Sequence, residues 1–134
     1  MATPNDRRYT DQHEWALVQG TDDAATVVRV GITDHAQDAL GDIVFVQLPA
    51  VGDEVAPGTP IGEVESTKSV SDVYAPLAGT VSAVNDALAD APETINADPY
   101  GEGWLVEIRV SGDDGDPTSG LLDADAYQAL VDAS

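Results

Sequence analysis

Residues 64–76 read Val64-Glu65-Ser66-Thr67-Lys68-Ser69-Val70-Ser71-Asp72-Val73-Tyr74-Ala75-Pro76 and contain the only lysine of the 134-residue chain. Polar residues 66–69 separate two segments rich in β-branched residues, 61–65 and 70–74, a pattern that predicts a β-hairpin with a short connection. Lys68 is therefore expected at an exposed turn, on a rigid two-stranded support. Either an acidic protein keeps one surface lysine at a turn, or the lysine is retained because acylation needs an amine that arginine cannot supply.

Five stretches in chain order resemble the family of the glycine cleavage system H protein. The hairpin sequence from Glu65 to Ser69, with Asp72-Val73-Tyr74-Ala75-Pro76 and Gly79-Thr80-Val81 after it, is similar to the lipoyl-lysine hairpin of that family. The other four are Tyr9-Thr10-Asp11-Gln12-His13-Glu14-Trp15, Gly31-Ile32-Thr33-Asp34-His35-Ala36-Gln37, Gly41-Asp42-Ile43-Val44-Phe45-Val46-Gln47-Leu48-Pro49 and Asp98-Pro99-Tyr100-Gly101-Glu102-Gly103-Trp104-Leu105. The resemblance implies the lipoyl, or barrel-sandwich hybrid, fold.

The resemblance also implies a function. Lys68 would bear lipoate through an amide, and the protein would have no catalytic site of its own, because the cofactor supplies the chemistry and the protein presents it. Its partners would be a pyridoxal-phosphate glycine decarboxylase, a tetrahydrofolate-dependent aminomethyltransferase, dihydrolipoamide dehydrogenase and a lipoylating enzyme. The chain would carry the aminomethyl group between the first two and electrons to the third.

Further site residues follow from the same resemblance. Glu65 and Ser69 flank the lysine and would help the lipoylating enzyme to recognise it. Glu14, Asp72 and His35 match positions at which the family folds the loaded arm back into a surface cleft. An acidic group there would hold the cationic amine of the cargo.

Three other protein classes remain open on the sequence. A biotinyl domain usually flanks its lysine with methionines, and a lipoyl domain of a 2-oxo acid dehydrogenase usually shows Asp-Lys-Ala, whereas this chain has Thr67-Lys68-Ser69. A non-catalytic acidic adaptor without cofactor is the third. His13 and His35, each beside a carboxylate, would form a metal site only if the fold brought them together; we predict none.

Composition limits the remaining possibilities. Twenty-five acidic residues against five basic ones give a net charge of −20, which makes nucleic acid and anionic membranes poor partners. The dispersed charges favour adaptation to concentrated salt over an acidic docking face. No signal peptide or membrane-span pattern is visible, and cysteine is absent, so we expect a cytoplasmic protein. The length predicts a single domain at 9–134 after a flexible N-terminus at 1–8.

The element pattern predicts a mostly β protein with short marginal helices and a C-terminal helix. Trp15 and Trp104 are expected to anchor the core. Strands are predicted at 14–19, 25–32, 43–48, 61–65, 70–74, 80–84 and 104–110, with a turn at 20–23 and strand 43–48 buried on much of both faces. Helices are predicted at 34–40, with a cap at Thr33 or Asp34 and a stop at Gly41, and at 85–91. A third follows a linker at 111–120, begins after Asp123 and should lie on the strand core; its Leu122, Ala126, Ala129 and Leu130 fall at helical spacing.

Overall fold

The chain forms two antiparallel sheets with short helices at their margins, in a computed structural model that describes residues 3–22, 25–111 and 117–133. The strands are β1 (Arg8–Tyr9), β2 (Glu14–Asp22), β3 (Ala25–Ile32), β4 (Ile43–Gln47), β5 (Glu54–Val55), β6 (Pro60–Ser66), β7 (Val70–Tyr74), β8 (Gly79–Val84) and β9 (Val106–Ser111). The helices are α1 (Asp34–Leu40), α2 (Thr94–Ala97) and α3 (Ala124–Asp132), with a 3₁₀ turn at Asp86–Ala89. The predicted mostly β fold is confirmed, although the helix predicted at 85–91 is only this 3₁₀ turn.

The two sheets pack face to face around one apolar core. The larger sheet has the strand order β1-β2-β3-β9-β8-β5, and the smaller sheet has the order β4-β6-β7. Alternate residues of the central strands point inward, as the two-residue period of a strand requires. They include Val28 and Val30 of β3, Ile108 of β9 and Val64 of β6. Burial of each such side chain contributes roughly 1.5 to 3 kcal/mol.

An aromatic cluster joins the N-terminal strands to α3. The rings of Tyr9 and Tyr127 stack with centroids 4.7 Å apart, and the Trp15 indole N–H donates to the carbonyl of Pro99 at 3.0 Å. Trp15 is fully buried, as predicted. Trp104 is only half-buried and lies under the Arg29 guanidinium, 4.5 Å from its ring centroid.

Two helix boundaries are confirmed because they depend on local signals. Thr33 accepts a hydrogen bond from the Ala36 amide at the start of α1, and Gly41 ends that helix with φ +88°. Asp123 caps α3 in the same way through the Ala126 amide. The predicted packing face of α3 is only partly right, however: Leu122 and Leu130 are partly buried. Tyr127 is the buried residue, whereas Ala126 and Ala129 are exposed.

Two strand predictions are also wrong. Gly20 and Thr21 do not form a turn, because β2 continues past a bulge after Val18 and pairs as far as Asp22. Strand β4 is not buried on both faces, since Val44 is 50% exposed and Phe45 is 53% exposed. Only one face of β4 meets the larger sheet, and the other face meets solvent.

The N-terminal segment makes contacts with residues that follow it. The Arg7 guanidinium lies 4.7 Å from the Trp15 ring centroid, and the Tyr9 hydroxyl donates to the Pro4 carbonyl. The flexible terminus at 1–8 and the single domain at 9–134 stay predictions.

Of the predicted linker, residues 112–116 lie outside the described residues, while Thr118 is buried. No helix in the described part of the chain is long and apolar enough to span a membrane.

Candidate functional site

Lys68 lies at the exposed tip of the hairpin formed by β6 and β7. The last pair of the ladder is Glu65 opposite Val70, so residues 66–69 form the connection. Lys68 itself is exposed, as the sequence predicts. The hairpin therefore presents a solvated amine at the end of a two-stranded support.

Ser66 holds the connection in shape. Its hydroxyl oxygen accepts hydrogen bonds from the backbone amides of Lys68 at 3.3 Å and Ser69 at 3.1 Å, and its own amide donates to the Ser69 carbonyl at 2.8 Å. Ser66 is 6% exposed. Sequence reasoning missed this residue, although a serine that bonds backbone amides two and three positions later is a known turn signal.

The segment between α1 and β4 contacts the hairpin tip and is hydrogen-bonded to it. The Thr67 amide donates to the Asp42 carbonyl at 3.2 Å. Asn96 fixes that segment, because its side chain donates to the Gly41 carbonyl and accepts from the Ile43 amide, both at 2.9 Å. The Lys68 stem lies against Gly41, where a Cβ would be 3.3 Å from the lysine Cε. The backbone that precedes the lysine side chain is thus anchored to the body of the fold.

Glu14, the first residue of β2, is a buried carboxylate. Only 2% of it is exposed, and its two oxygens accept hydrogen bonds from the Thr10 hydroxyl at 2.8 Å and the Tyr74 amide at 2.9 Å. Burial raises the pKa of the Glu14 carboxyl to about 7, and the two hydrogen bonds oppose this rise. Because β7 is an edge strand of its sheet, the Tyr74 amide is available to Glu14. Thr10 is a second residue that sequence reasoning missed.

A groove of about 770 Å³ opens beside Glu14. It lies between the N-terminal segment, the turn before β6, the end of β7 and the region of α3. Its lining combines carboxylates, prolines and aliphatic side chains: Tyr9, Thr10, Asp11, Gln12, Glu14, Pro57, Gly58, Tyr74, Ala75, Pro76, Gly120, Leu121, Leu122 and Leu130. The groove is large enough for a small-molecule group.

Asp72 lies between the hairpin tip and this groove without lining it. Val70, Asp72 and Tyr74 are alternate residues of β7 and share one face of the strand. The five residues of extended strand from Val70 to Tyr74 span about 13 Å, which is four steps of about 3.3 Å. An unmodified lysine side chain, about 6 Å long by its bond lengths, does not cover that distance.

His35 lies beside His13, apart from the groove lining. The two rings have centroids 4.7 Å apart, and His13 Nδ1 shares a hydrogen bond of 2.7 Å with the Tyr127 hydroxyl. Burial lowers the pKa of His13, and the neighbouring His35 lowers it further. The fold thus brings the two histidines together. Within residues 3–22, 25–111 and 117–133, however, no group of three or more His, Cys, Asp or Glu side chains is placed to hold a metal ion.

Comparisons with known proteins agree over nearly the whole chain. The family model described as Glycine cleavage H-protein matches residues 7–134. The chain is 59% identical over 129 residues to the glycine cleavage system H protein of Mycolicibacterium smegmatis, covering 96% of this chain and 95% of that protein. It is 57% identical over 128 residues to the probable glycine cleavage system H protein of Natronomonas pharaonis, with the same coverage.

A solved structure supports the same relationship. The crystal structure of a glycine cleavage system H protein from Mycobacterium marinum superposes with a TM-score of 0.81 at 46% identity, covering 96% of this chain and 98% of that one. The expected lipoyl-type fold is confirmed by this similarity.

Proposed function

The chain belongs to the glycine cleavage H-protein family, and from that premise we propose that it is the lipoyl-lysine shuttle of glycine cleavage in the cytoplasm. It receives the aminomethyl group at glycine decarboxylase, delivers it to aminomethyltransferase and passes electrons to dihydrolipoamide dehydrogenase. The observation that supports this best is Lys68, the only lysine, at the exposed tip of a braced hairpin.

The residues around Lys68 fit a covalently attached acyl group. The amine is exposed, and Ser66 orders the turn that carries it through hydrogen bonds to two backbone amides. The attachment point is therefore fixed, while the attached group itself can still rotate and swing. When bound, the lipoyl dithiolane supplies the redox and group-transfer chemistry. Glu65 and Ser69, both exposed next to the tip, are the residues that we assign to recognition by the lipoylating enzyme.

Glu14 is the residue that we assign to holding the cationic end of the cargo. Glu14 is only 2% exposed, unlike the solvated carboxylates of the surface. It also borders a groove that has room for a ligand. Burial disfavours the ionised form of Glu14, and a bound ammonium group would stabilise that form. A hydrogen bond to a charged group contributes about 1.5 to 3 kcal/mol. The groove walls would keep water from the cargo.

Asp72 and His35 lie outside the groove lining. Asp72 is exposed and shares a face of β7 with Tyr74, so it lies on the way from the tip to Glu14. An exposed ion pair contributes about 0 to 1 kcal/mol, so its effect is smaller than that of Glu14. The ring of His35 lies tilted at 41° against that of His13, the residue before Glu14, and it would reach the arm only from outside the groove.

Successive visits to several enzymes require contacts that form and separate quickly, which small interfaces allow. The protein therefore works as a carrier, and the partners perform the catalysis. A biotinyl or 2-oxo acid dehydrogenase domain, or an adaptor without cofactor, predicts a different or absent adduct on Lys68.

The test is Lys68→Arg in a reconstituted glycine cleavage assay. The variant should keep its melting temperature, because an exposed substitution changes stability by under about 0.5 kcal/mol. It should lose all carbon transfer from glycine. The control is Arg8→Lys, which exchanges the same two residue types outside the hairpin and should transfer carbon at the wild-type rate. Carbon transfer by the arginine variant at the wild-type rate would refute the carrier assignment.

A further inference from the structure

The outer face of the small sheet has, beside the lysine, a row in which two of the three side chains are apolar. The register of the strands places Phe45 of β4 opposite Glu65 of β6, and Glu65 opposite Val70 of β7. Directly opposite residues project from the same face. All three are exposed, Phe45 at 53% and Val70 at 55%. The next row, Val46 and Val64, points into the core instead.

The following row on this outer face is polar and acidic. Gln47 lies opposite Glu63, and Glu63 lies opposite Asp72, all of them exposed. Like charges directly opposite each other in a sheet are destabilising. Neither Glu63 nor Asp72 has a salt-bridge partner among the residues that the structure describes. The face therefore combines two exposed apolar side chains with three carboxylates that a basic surface would neutralise.

The position of this face selects among the enzymes that the shuttle meets. Val70 follows Lys68 by two residues, and Glu65 precedes it by three. An enzyme that acts on the lysine Nζ must take the hairpin tip into its active site and cover this face. Enzymes that act on the far end of the attached arm work a full arm length away from the tip and have no need to cover it.

We propose that the face formed by Phe45, Glu65, Val70, Glu63 and Asp72, here called the hairpin face, is the docking surface for the enzyme that acylates Lys68. This rests on the proposed function, and it adds to the flanking residues an apolar contact supplied by a different strand. The matching surface on the enzyme has an apolar patch for Phe45 and Val70, bordered by lysine or arginine side chains that meet the carboxylates.

The reaction at this surface is amide formation. The Lys68 amine attacks the carbonyl carbon of an activated lipoyl or octanoyl donor, which is an acyl adenylate or an acyl thioester. The new carbon–nitrogen bond replaces the bond to AMP or to the thiol, which leaves, and the amine releases a proton to solvent. The hairpin face takes no part in this chemistry and acts by holding the tip in place.

The experiment compares Phe45→Ser/Val70→Thr with the matched control Val18→Thr/Val51→Ser. The control removes two valines that are also exposed, at 38% and 61%, but lie outside the hairpin face. The unmodified proteins are acylated by the purified lipoylating enzyme of the host, and acylation is followed by intact mass. The hairpin-face variant should show at least about a tenfold fall in kcat/KM, mainly through KM, whereas the control stays within about twofold of wild type.

Charge is tested separately with Glu63→Gln. This variant should weaken the dependence of the acylation KM on salt, because screening acts on the pairs that it removes. Glu54→Gln, an exposed carboxylate on β5, is the control and should keep the wild-type salt dependence.

The same variants identify the other possible occupants. The hairpin-face variant, once lipoylated, should react with dihydrolipoamide dehydrogenase at the wild-type rate. If the variant is acylated at the wild-type rate but reacts more slowly with the dehydrogenase, the face belongs to that enzyme and the proposal is overturned. A concentration-dependent dimer of wild type that the variant abolishes would assign it to a second copy of this chain. Wild-type protein that is never acylated would refute the proposed function itself, whereas equal acylation of wild type and variant would refute only the docking surface.

Discussion

Substitution of Glu14 by glutamine should change how stability depends on pH. Burial raises the pKa of the Glu14 carboxyl from 4.5 to about 7 in the folded protein. The folded state therefore holds a proton that the unfolded chain has already released in this pH range. The stabilisation that results is fully present below pH 4.5 and is lost as the pH rises through about 7.

The size of the effect follows from that difference in pKa. At about 1.36 kcal/mol per pH unit, the interval from 4.5 to about 7 corresponds to about 3 kcal/mol. Glutamine has no charge to lose, and its amide can accept from the Tyr74 amide and donate to the Thr10 hydroxyl. The stability of Glu14→Gln minus that of wild type should therefore rise by about 3 kcal/mol between about pH 4.5 and about pH 8.

The assay is urea unfolding followed by tryptophan fluorescence at several pH values in concentrated potassium chloride. High salt screens the other carboxylates, and the difference between variant and wild type removes the contributions that they share. Glu54→Gln, at an exposed position on β5, should show no pH-dependent difference. A flat difference for Glu14→Gln, or one that falls as pH rises, would show that the Glu14 carboxylate is solvated and would remove the basis for its role in the groove.

Three further predictions follow. Removal of salt should lower the melting temperature, because a net charge of −20 repels itself over a Debye length of about 30 Å at 0.01 M but only about 3 Å at 1 M; a melting temperature that is equal or higher in dilute buffer contradicts salt adaptation. Ser66→Ala should cost about 1 to 3 kcal/mol and speed amide exchange at residues 67–69, since two tip amides lose their acceptor; Ser82→Ala at an exposed position is the control, and equal exchange in both would show that Ser66 does not hold the turn. Glu14→Gln should shorten the lifetime of the aminomethyl-loaded protein about tenfold by mass spectrometry, with a smaller effect of Asp72→Asn, and unchanged lifetimes in both would exclude these carboxylates from the cargo site.

The features that sequence reasoning predicted correctly depend on local signals. The hairpin around Lys68 follows from four polar residues between β-branched segments, and α1 follows from the Thr33 cap and the Gly41 stop. The cap of α3 at Asp123 is equally local. Each of these signals acts within a few residues, so no knowledge of the tertiary neighbours is needed.

Apart from Ser66 and Thr10, whose bonds are local, the features that it missed depend on distant neighbours. The apolar run around Phe45 predicts a buried strand, but β4 has only one covered face. Burial of the Tyr127 ring has no local signal, because it depends on stacking with Tyr9, more than a hundred residues away. The hydrogen bond from the Tyr74 amide to Glu14 likewise joins β2 to the edge of the second sheet. The resemblance suggested Glu14 as a site residue, but its burial and raised pKa required the structure.

The central claim is that Lys68 is a covalent attachment point, and the most direct test is the intact mass of the protein purified from its native host, followed by peptide mapping. The expected result is one lipoyl adduct per chain, located on the peptide that contains Lys68 and absent from Lys68→Arg. A chain that supports carbon transfer from glycine without any adduct, or with an adduct at another residue or of biotin on Lys68, would contradict the claim.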